Sequence, residues 1–249
     1  MCTLTRSGIT ISETGHPDRE PPANGNRDSI DNNSDDNKSS EQTLRDDLCN
    51  ARWEWPEGSF RYFIAVDDFR RIVTKESISL ELARCGVELA SDERRRKTAE
   101  EISKDAPKLF AILVCLKRGH QIIDFLDERI NDKHLPFVRF GKTAKSGHFK
   151  LCSKWSPDQP IKCMAGWDQA RINDFGRDQW SMFAPIFEYG EEIQHNELDD
   201  NCVLPIVQDE ERGNQAIQGS YGSVWKIAIH PAHQQVYGST DKQVRYSVP

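Results

Sequence analysis

Leu109-Phe110-Ala111-Ile112-Leu113-Val114-Cys115-Leu116 is the feature that most constrains the fold of this chain. Eight consecutive apolar residues leave no polar face to give to water. A helix built from them is apolar on all sides, so other elements must surround it. Asp105-Ala106-Pro107 precedes the run, with Asp105 placed to cap the helix and proline tolerated in its first turn. Lys117 and Arg118 follow at the negative end of the helix dipole, and Gly119 is expected to stop it. The run therefore predicts a central helix within a helical module spanning 43–135.

The elements that could surround it are legible nearby. A helix from Thr74 or Lys75 to Arg84 offers Ile78, Leu80, Leu82 and Ala83 for burial, with Gly86 just past its end. Ser91 is a good N-cap, Asp92 and Glu93 favour the first turn, and Ala99 and Ile102 mark the inner face of a mostly charged helix. Gln121 to Ile130 reads as a further helix with Ile122, Phe125, Leu126 and Ile130 on one face.

Either side of this module the composition changes. Residues 1–42 are rich in Asn, Asp, Ser, Gly and Pro. Asp31-Asn32-Asn33-Ser34-Asp35-Asp36-Asn37 cannot bury enough surface to offset ordering entropy, so a disordered tail is expected. Residues 136–200 form a loop-rich region. Trp155, Trp167 and Trp180 fall there and favour a small aromatic core over a ligand platform. The basic segment Arg139 to Lys154 reads as a solvated loop. Glu188, Glu191, Glu192, Glu197, Asp199 and Asp200 make an acidic approach to the last part, 201–249.

That last part carries the chain's most specific pattern, Gln218-Gly219-Ser220-Tyr221-Gly222-Ser223-Val224-Trp225-Lys226-Ile227. It matches the last two glycines and the valine of G-x-G-x-x-G-x-V, with Ile217 at the first glycine position. Glycines let a hairpin fold tightly and let backbone amides approach a phosphate. The same glycines also suit any tight hairpin. Val203 to Val207 reads as a short strand or an extended lead-in, Ile217 to Ile229 as a hairpin, His230-Pro231-Ala232-His233 as a turn, and Val244 to Val248 as another strand.

The run Ala216 to His233 resembles the kinase-domain start of fungal protein kinase domain-containing proteins. Trp55-Pro56-Glu57-Gly58-Ser59-Phe60, Ala106 to Leu113, Asn131 to Phe137 and Gln179 to Phe187 resemble the helical module that precedes that domain. The resemblance covers about 43–249, and only the glycine loop has known chemistry. It implies an incomplete protein-kinase-like N-lobe at the C-terminus of a mainly α chain with a small β-hairpin. It implies ATP with magnesium as cofactor and Ile217, Gly219, Ser220, Tyr221, Gly222 and Val224 as the nucleotide contacts.

The remaining kinase parts are not matched. Lys226 falls on the second strand, and Lys242 sits in the polar segment Gly238-Ser239-Thr240-Asp241-Lys242. Asp174-Phe175-Gly176 precedes the glycine loop, the wrong order for magnesium chemistry, and reads as a helix end with Gly176 as a left-handed cap. Gly141-Lys142-Thr143 has Pro136 where a Walker loop needs glycine. No catalytic or metal-binding residue is assigned. Two functions from different classes stand side by side. One is the front of a serine/threonine-type kinase from a truncated gene model, inactive as it stands. The other is a helical interaction or regulatory module that binds a protein partner and keeps a vestigial glycine hairpin.

The formal net charge of -7 disfavours nucleic acid as a partner, and no apolar run approaches the length of a membrane span or a signal peptide core. Seven cysteines without a C-x-x-C pair suggest reduced thiols, hence an intracellular, cytoplasmic setting.

Overall fold

The structure, a computed structural model, describes residues 42–87, 91–140, 149–189, 198–209, 217–219, 222–236 and 246–248. The tail expected over 1–42 lies outside them except for Gln42. So do Ser220, Tyr221 and Lys242. The described chain is mainly helical with small, mostly antiparallel sheets. No described helix is long and apolar enough to cross a membrane.

The helical part opens with α1 (Leu44–Asn50), where Thr43 and Asp46 form a reciprocal capping box. The hairpin of β1 (Arg52–Glu54) and β2 (Tyr62–Ile64) follows. Then come α2 (Val66–Ile72), α3 (Lys75–Arg84), α4 (Asp92–Asp105), α5 (Pro107–Cys115) and α6 (Ile122–Asp127). All seven residues from Leu109 to Cys115 are buried, so α5 is the central helix that its sequence predicts. Ser91 caps α4, and Ala99 and Ile102 are its buried residues, also as predicted.

Several local expectations are corrected. Asp105 ends α4 and does not cap α5. The cap comes from Asp132, whose two carboxylate oxygens accept from the Lys108 and Leu109 amides at 2.9 Å each. Gly119 does not stop α5. The chain leaves that helix at Lys117, which takes a φ of 58°, and Arg118 N–H closes the turn on Leu113 O at 2.7 Å. Gly119 is needed for space, because a Cβ there would lie 2.8 Å from Cys85 Sγ. In α3, Ile78 and Leu82 are buried with Glu81, whereas Leu80 is 62% exposed and Ala83 is exposed. The α6 helix is shorter than expected because Arg129, at φ 59°, turns the chain, yet Ile130 still reaches the core.

The segment read as a solvated loop from Arg139 to Lys154 carries strand at both ends. β3 (Phe137–Phe140), β4 (Lys150–Ser153) and β5 (Ser156–Pro160) form an antiparallel sheet in that order, with Leu151 and Cys152 buried. Residues 141–148 lie outside the described chain. Next comes α7 (Gln169–Asp178), and Asp174-Phe175-Gly176 lies inside it. Phe175 is fully buried as expected, but Gly176 is no cap. Phe175 stacks on Phe137 at 5.2 Å and meets Trp167 edge-on at 6.0 Å, and both Phe137 and Trp167 pack against Phe125. Of the three tryptophans expected to make an aromatic core, Trp167 belongs to this cluster, whereas Trp180 is buried beside Phe183. Trp155 stays outside the cluster, 68% exposed, with its indole N–H donating to Leu135 O at 3.2 Å.

The rest is β6 (Phe187–Tyr189), β7 (Ile206–Asp209), β8 (Ile217–Gly219), β9 (Gly222–Ile229), β10 (Gln234–Val236) and β11 (Tyr246–Val248). The central strand is β9, antiparallel to β7, β8 and β11. The β6 and β10 strands pair in parallel.

Candidate functional site

Two glycines face each other across the β8–β9 hairpin. Gly219 pairs with Gly222, Gln218 with Ser223, and Ile217 with Val224. Two residues, Ser220 and Tyr221, join the strands, and both lie outside the described residues. Four of the six expected nucleotide contacts (Ile217, Gly219, Gly222 and Val224) thus have a described backbone, arranged as one tight antiparallel hairpin. On the other flank of β9, Ser247 of β11 is in register with Lys226, and β11 contains Tyr246, Ser247 and Val248 but no lysine.

The far end of β9 shows how the hairpin is held. Ile229 is buried, and His230 N–H donates to Pro205 O at 2.7 Å. The chain then makes the 3-10 turn Pro231–His233 that the sequence suggests. His233 is 2% exposed. Its Nε2 accepts from Val66 N–H at 3.1 Å, and its Nδ1–H donates to Pro185 O at 2.9 Å. Both bonds together require the neutral ring protonated on Nδ1. The Val66 amide is the first of α2, whose cap residue Ala65 offers no side-chain acceptor. His233 therefore acts as a cap in trans and joins three distant pieces of chain. Phe63 and His230 stand edge-on to its ring at 5.8 Å and 6.0 Å, and Trp53 closes on His230 at 5.5 Å. The sequence shows two histidines around a proline but nothing of this role, because both partners are backbone groups.

A cavity of about 890 Å³ lies beside β2, β3 and α7, with Arg52, Arg61, Arg139 and Arg177 along its wall. Most of these cations are already engaged. Arg61 donates to Asp200 O and Cys202 O at 3.1 Å each, Arg139 lies 4.2 Å over the Phe149 ring, and Arg177 pairs with Asp174 and Asp178. They tie loops to the core. Among the described residues no cluster of three or more His, Cys, Asp or Glu side chains could hold a metal ion.

No protein-family model, no curated protein and no solved structure matches this chain.

Proposed function

We propose that the β8–β9 hairpin is a phosphate-covering loop of protein-kinase type, on a chain that does not itself transfer phosphate. The observation that carries this reading is the register of Gly219 on Gly222 across a two-residue tip, with a third strand antiparallel on the far side of β9. The paired glycines leave the backbone open to close approach, which amide contact with a phosphate requires. ATP phosphates suit that backbone, and the residues meeting them would be Gly219, Ser220, Tyr221 and Gly222, with Ile217 and Val224 beside the base. Bound ATP would supply a transferable phosphoryl group. Magnesium would accompany the ATP phosphates, and no residue of this chain is assigned as its ligand.

The second reading, a non-enzymatic module that binds a protein partner, is favoured by a different observation. The strand next to β9 has no lysine for the α- and β-phosphates, while His233 fixes the hairpin's base to the helices. In this reading the hairpin is a structural appendage of the helical module. Both readings place the chain inside the cell, where thiols stay reduced.

Amide NMR of the full chain separates them. On the first reading, millimolar magnesium-ATP shifts the Gly219 to Gly222 amides, adenosine does not, and Gly222→Val abolishes the shift. An exposed loop gains only about 0.5–1.5 kcal/mol per hydrogen bond, so affinity is expected to be no tighter than about millimolar, or roughly 4 kcal/mol. No shift at those amides with ten millimolar nucleotide would leave the interaction module as the surviving reading.

A further inference from the structure

Three arginines line one cavity without a carboxylate to neutralise them. The cavity of about 890 Å³ is walled by the β1–β2 hairpin, the β3–β4 strands, α7 and the segment 200–203. That volume is within the range of small-molecule sites. The wall carries four arginines against two aspartates, Asp178 and Asp200. Arg177 and Asp178 pair with each other at 2.7 Å. Among the described residues, Arg52, Arg61 and Arg139 enter no ion pair. In a chain of formal net charge -7 this is a local excess of positive charge, and low-dielectric walls focus its field.

The groups that hold these arginines are neutral and leave donors over. Arg139 lies 4.2 Å above the Phe149 ring. Stacking uses the flat face of a guanidinium, while its five N–H bonds point outward in the plane. Arg61 commits Nη2 to Asp200 O and Cys202 O, and its Nη1 and Nε meet no acceptor among the described residues. Arg52 lies 5.7 Å above the Tyr62 ring, and its Nε is buried without a hydrogen-bond partner. Two further features of the wall have no structural reason of their own. Phe60 is 75% exposed and takes a φ of 56°, a strained value for a bulky residue, with its N–H held by Glu54 Oε1 at 2.7 Å. Gly176 sits inside α7 without a positive φ, and a Cβ added there would meet no atom within 4 Å. Neither backbone geometry nor packing requires glycine at that place, and glycine weakens a helix. Its bare backbone leaves room for a bound group.

We infer that this cavity binds a small phosphate monoester carried on a flat ring, with Arg139 and Arg61 on the phosphoryl group and Phe60 and Tyr62 against the ring. A phosphate monoester is close to a dianion at neutral pH, which matches the excess of two arginines over aspartates on the wall. Guanidinium forks pair with phosphoryl oxygens through charge-assisted hydrogen bonds. Arginines set on separate strands suit the three terminal oxygens of a tetrahedral group better than the two coplanar oxygens of one carboxylate. The site is independent of the β8–β9 hairpin, none of whose residues lines the cavity.

The test titrates phenyl phosphate into the full chain and follows the amides by NMR. Saturating shifts are expected at Arg139, Leu151, Gly176 and Asn201, with a dissociation constant below about one millimolar. Inorganic phosphate, which lacks the ring, and phenol, which lacks the charge, should each bind at least about tenfold more weakly. Binding should fade as pH falls through about 6, where the monoester takes up a proton. Arg139 is exposed, so Arg139→Met should fold and weaken binding about tenfold or more. Gly176→Leu should fill the cavity from a helical position and abolish binding, while the urea midpoint holds or rises. Gly222→Val should leave binding unchanged, which separates this site from the hairpin. The inference is overturned by no shift at about ten millimolar phenyl phosphate. Shifts confined to Gly219 and Gly222, or full affinity in Gly176→Leu and Arg139→Met, overturn it as well. Tighter binding of phthalate, a flat dicarboxylate, than of phenyl phosphate would overturn the assignment of a phosphate ligand.

Discussion

Replacing His233 with alanine tests the joint between the glycine hairpin and the helices. The substitution removes the acceptor for the Val66 amide and the donor to Pro185 O. Loss of a helix cap costs about 1 kcal/mol. A backbone acceptor left unpaired costs about 1–3 kcal/mol. The lost edge contact with Phe63 adds about 0.5–1.5 kcal/mol. The expected total is about 2.5–5.5 kcal/mol, read as a lower urea midpoint by circular dichroism at 222 nm. A second arm uses pH. Burial holds the His233 imidazole below its ordinary value. His230 and Lys108 push the same way, while Pro185 O and Asp67 push back. Protonated Nε2 would point a hydrogen at the Val66 N–H. The unfolded ring takes its proton near pH 6.5 and the folded ring only below that. Stability from this group is therefore full above about pH 6.5 and falls as pH drops from there through the folded value. In His233→Ala that part of the slope should vanish. A change under about 0.5 kcal/mol at pH 7.5, or an identical pH slope in the two proteins, would refute the trans-cap account.

Other outcomes follow from the same geometry. Leu113→Ala in the buried face of α5 should cost about 2–5 kcal/mol in urea unfolding, while Leu80→Ala, at an exposed position, should stay within about 0.5 kcal/mol. Asp132→Ala should lower stability by about 1–3 kcal/mol, because it strands the Lys108 and Leu109 amides at the start of α5. The chain should transfer no phosphate from ATP to a generic protein substrate above background in a radiolabel assay. Phosphoryl transfer depends on a positioned lysine and metal, and β11 holds no lysine.

What the sequence made legible was local. The run Leu109 to Cys115 announces a buried helix because no polar residue interrupts it, and Ser91 announces a cap because its acceptor lies three residues from the amide it serves. The hairpin over Ile217 to Ile229 was readable from its glycines and β-branched residues. Partners far apart in the chain were not. Asp132 reaches the α5 amides from 23 and 24 residues away, and His233 meets Val66 across 167. Asp105 had the right type and spacing for the cap at α5, and tertiary geometry assigned that role elsewhere. Leu80 and Ala83 looked available for burial, but only Ile78, Glu81 and Leu82 of α3 turn inward.

The β3–β4–β5 sheet has a consequence for association between chains. An open strand edge is a template on which another polypeptide can add a strand. Here Gln179, buried below β3, accepts from Phe137 N–H and donates to Phe137 O, both at 2.8 Å, so one side-chain amide occupies the place a neighbouring strand would take. At the opposite edge, β5 reads Ser156-Pro157-Asp158-Gln159-Pro160, exposed over its first four residues. Two of its five positions have no N–H to offer and a third carries a charge. A peptide seeking to extend this sheet would find its hydrogen-bonding register interrupted at both sides, which steers any association of this chain toward side-chain surfaces.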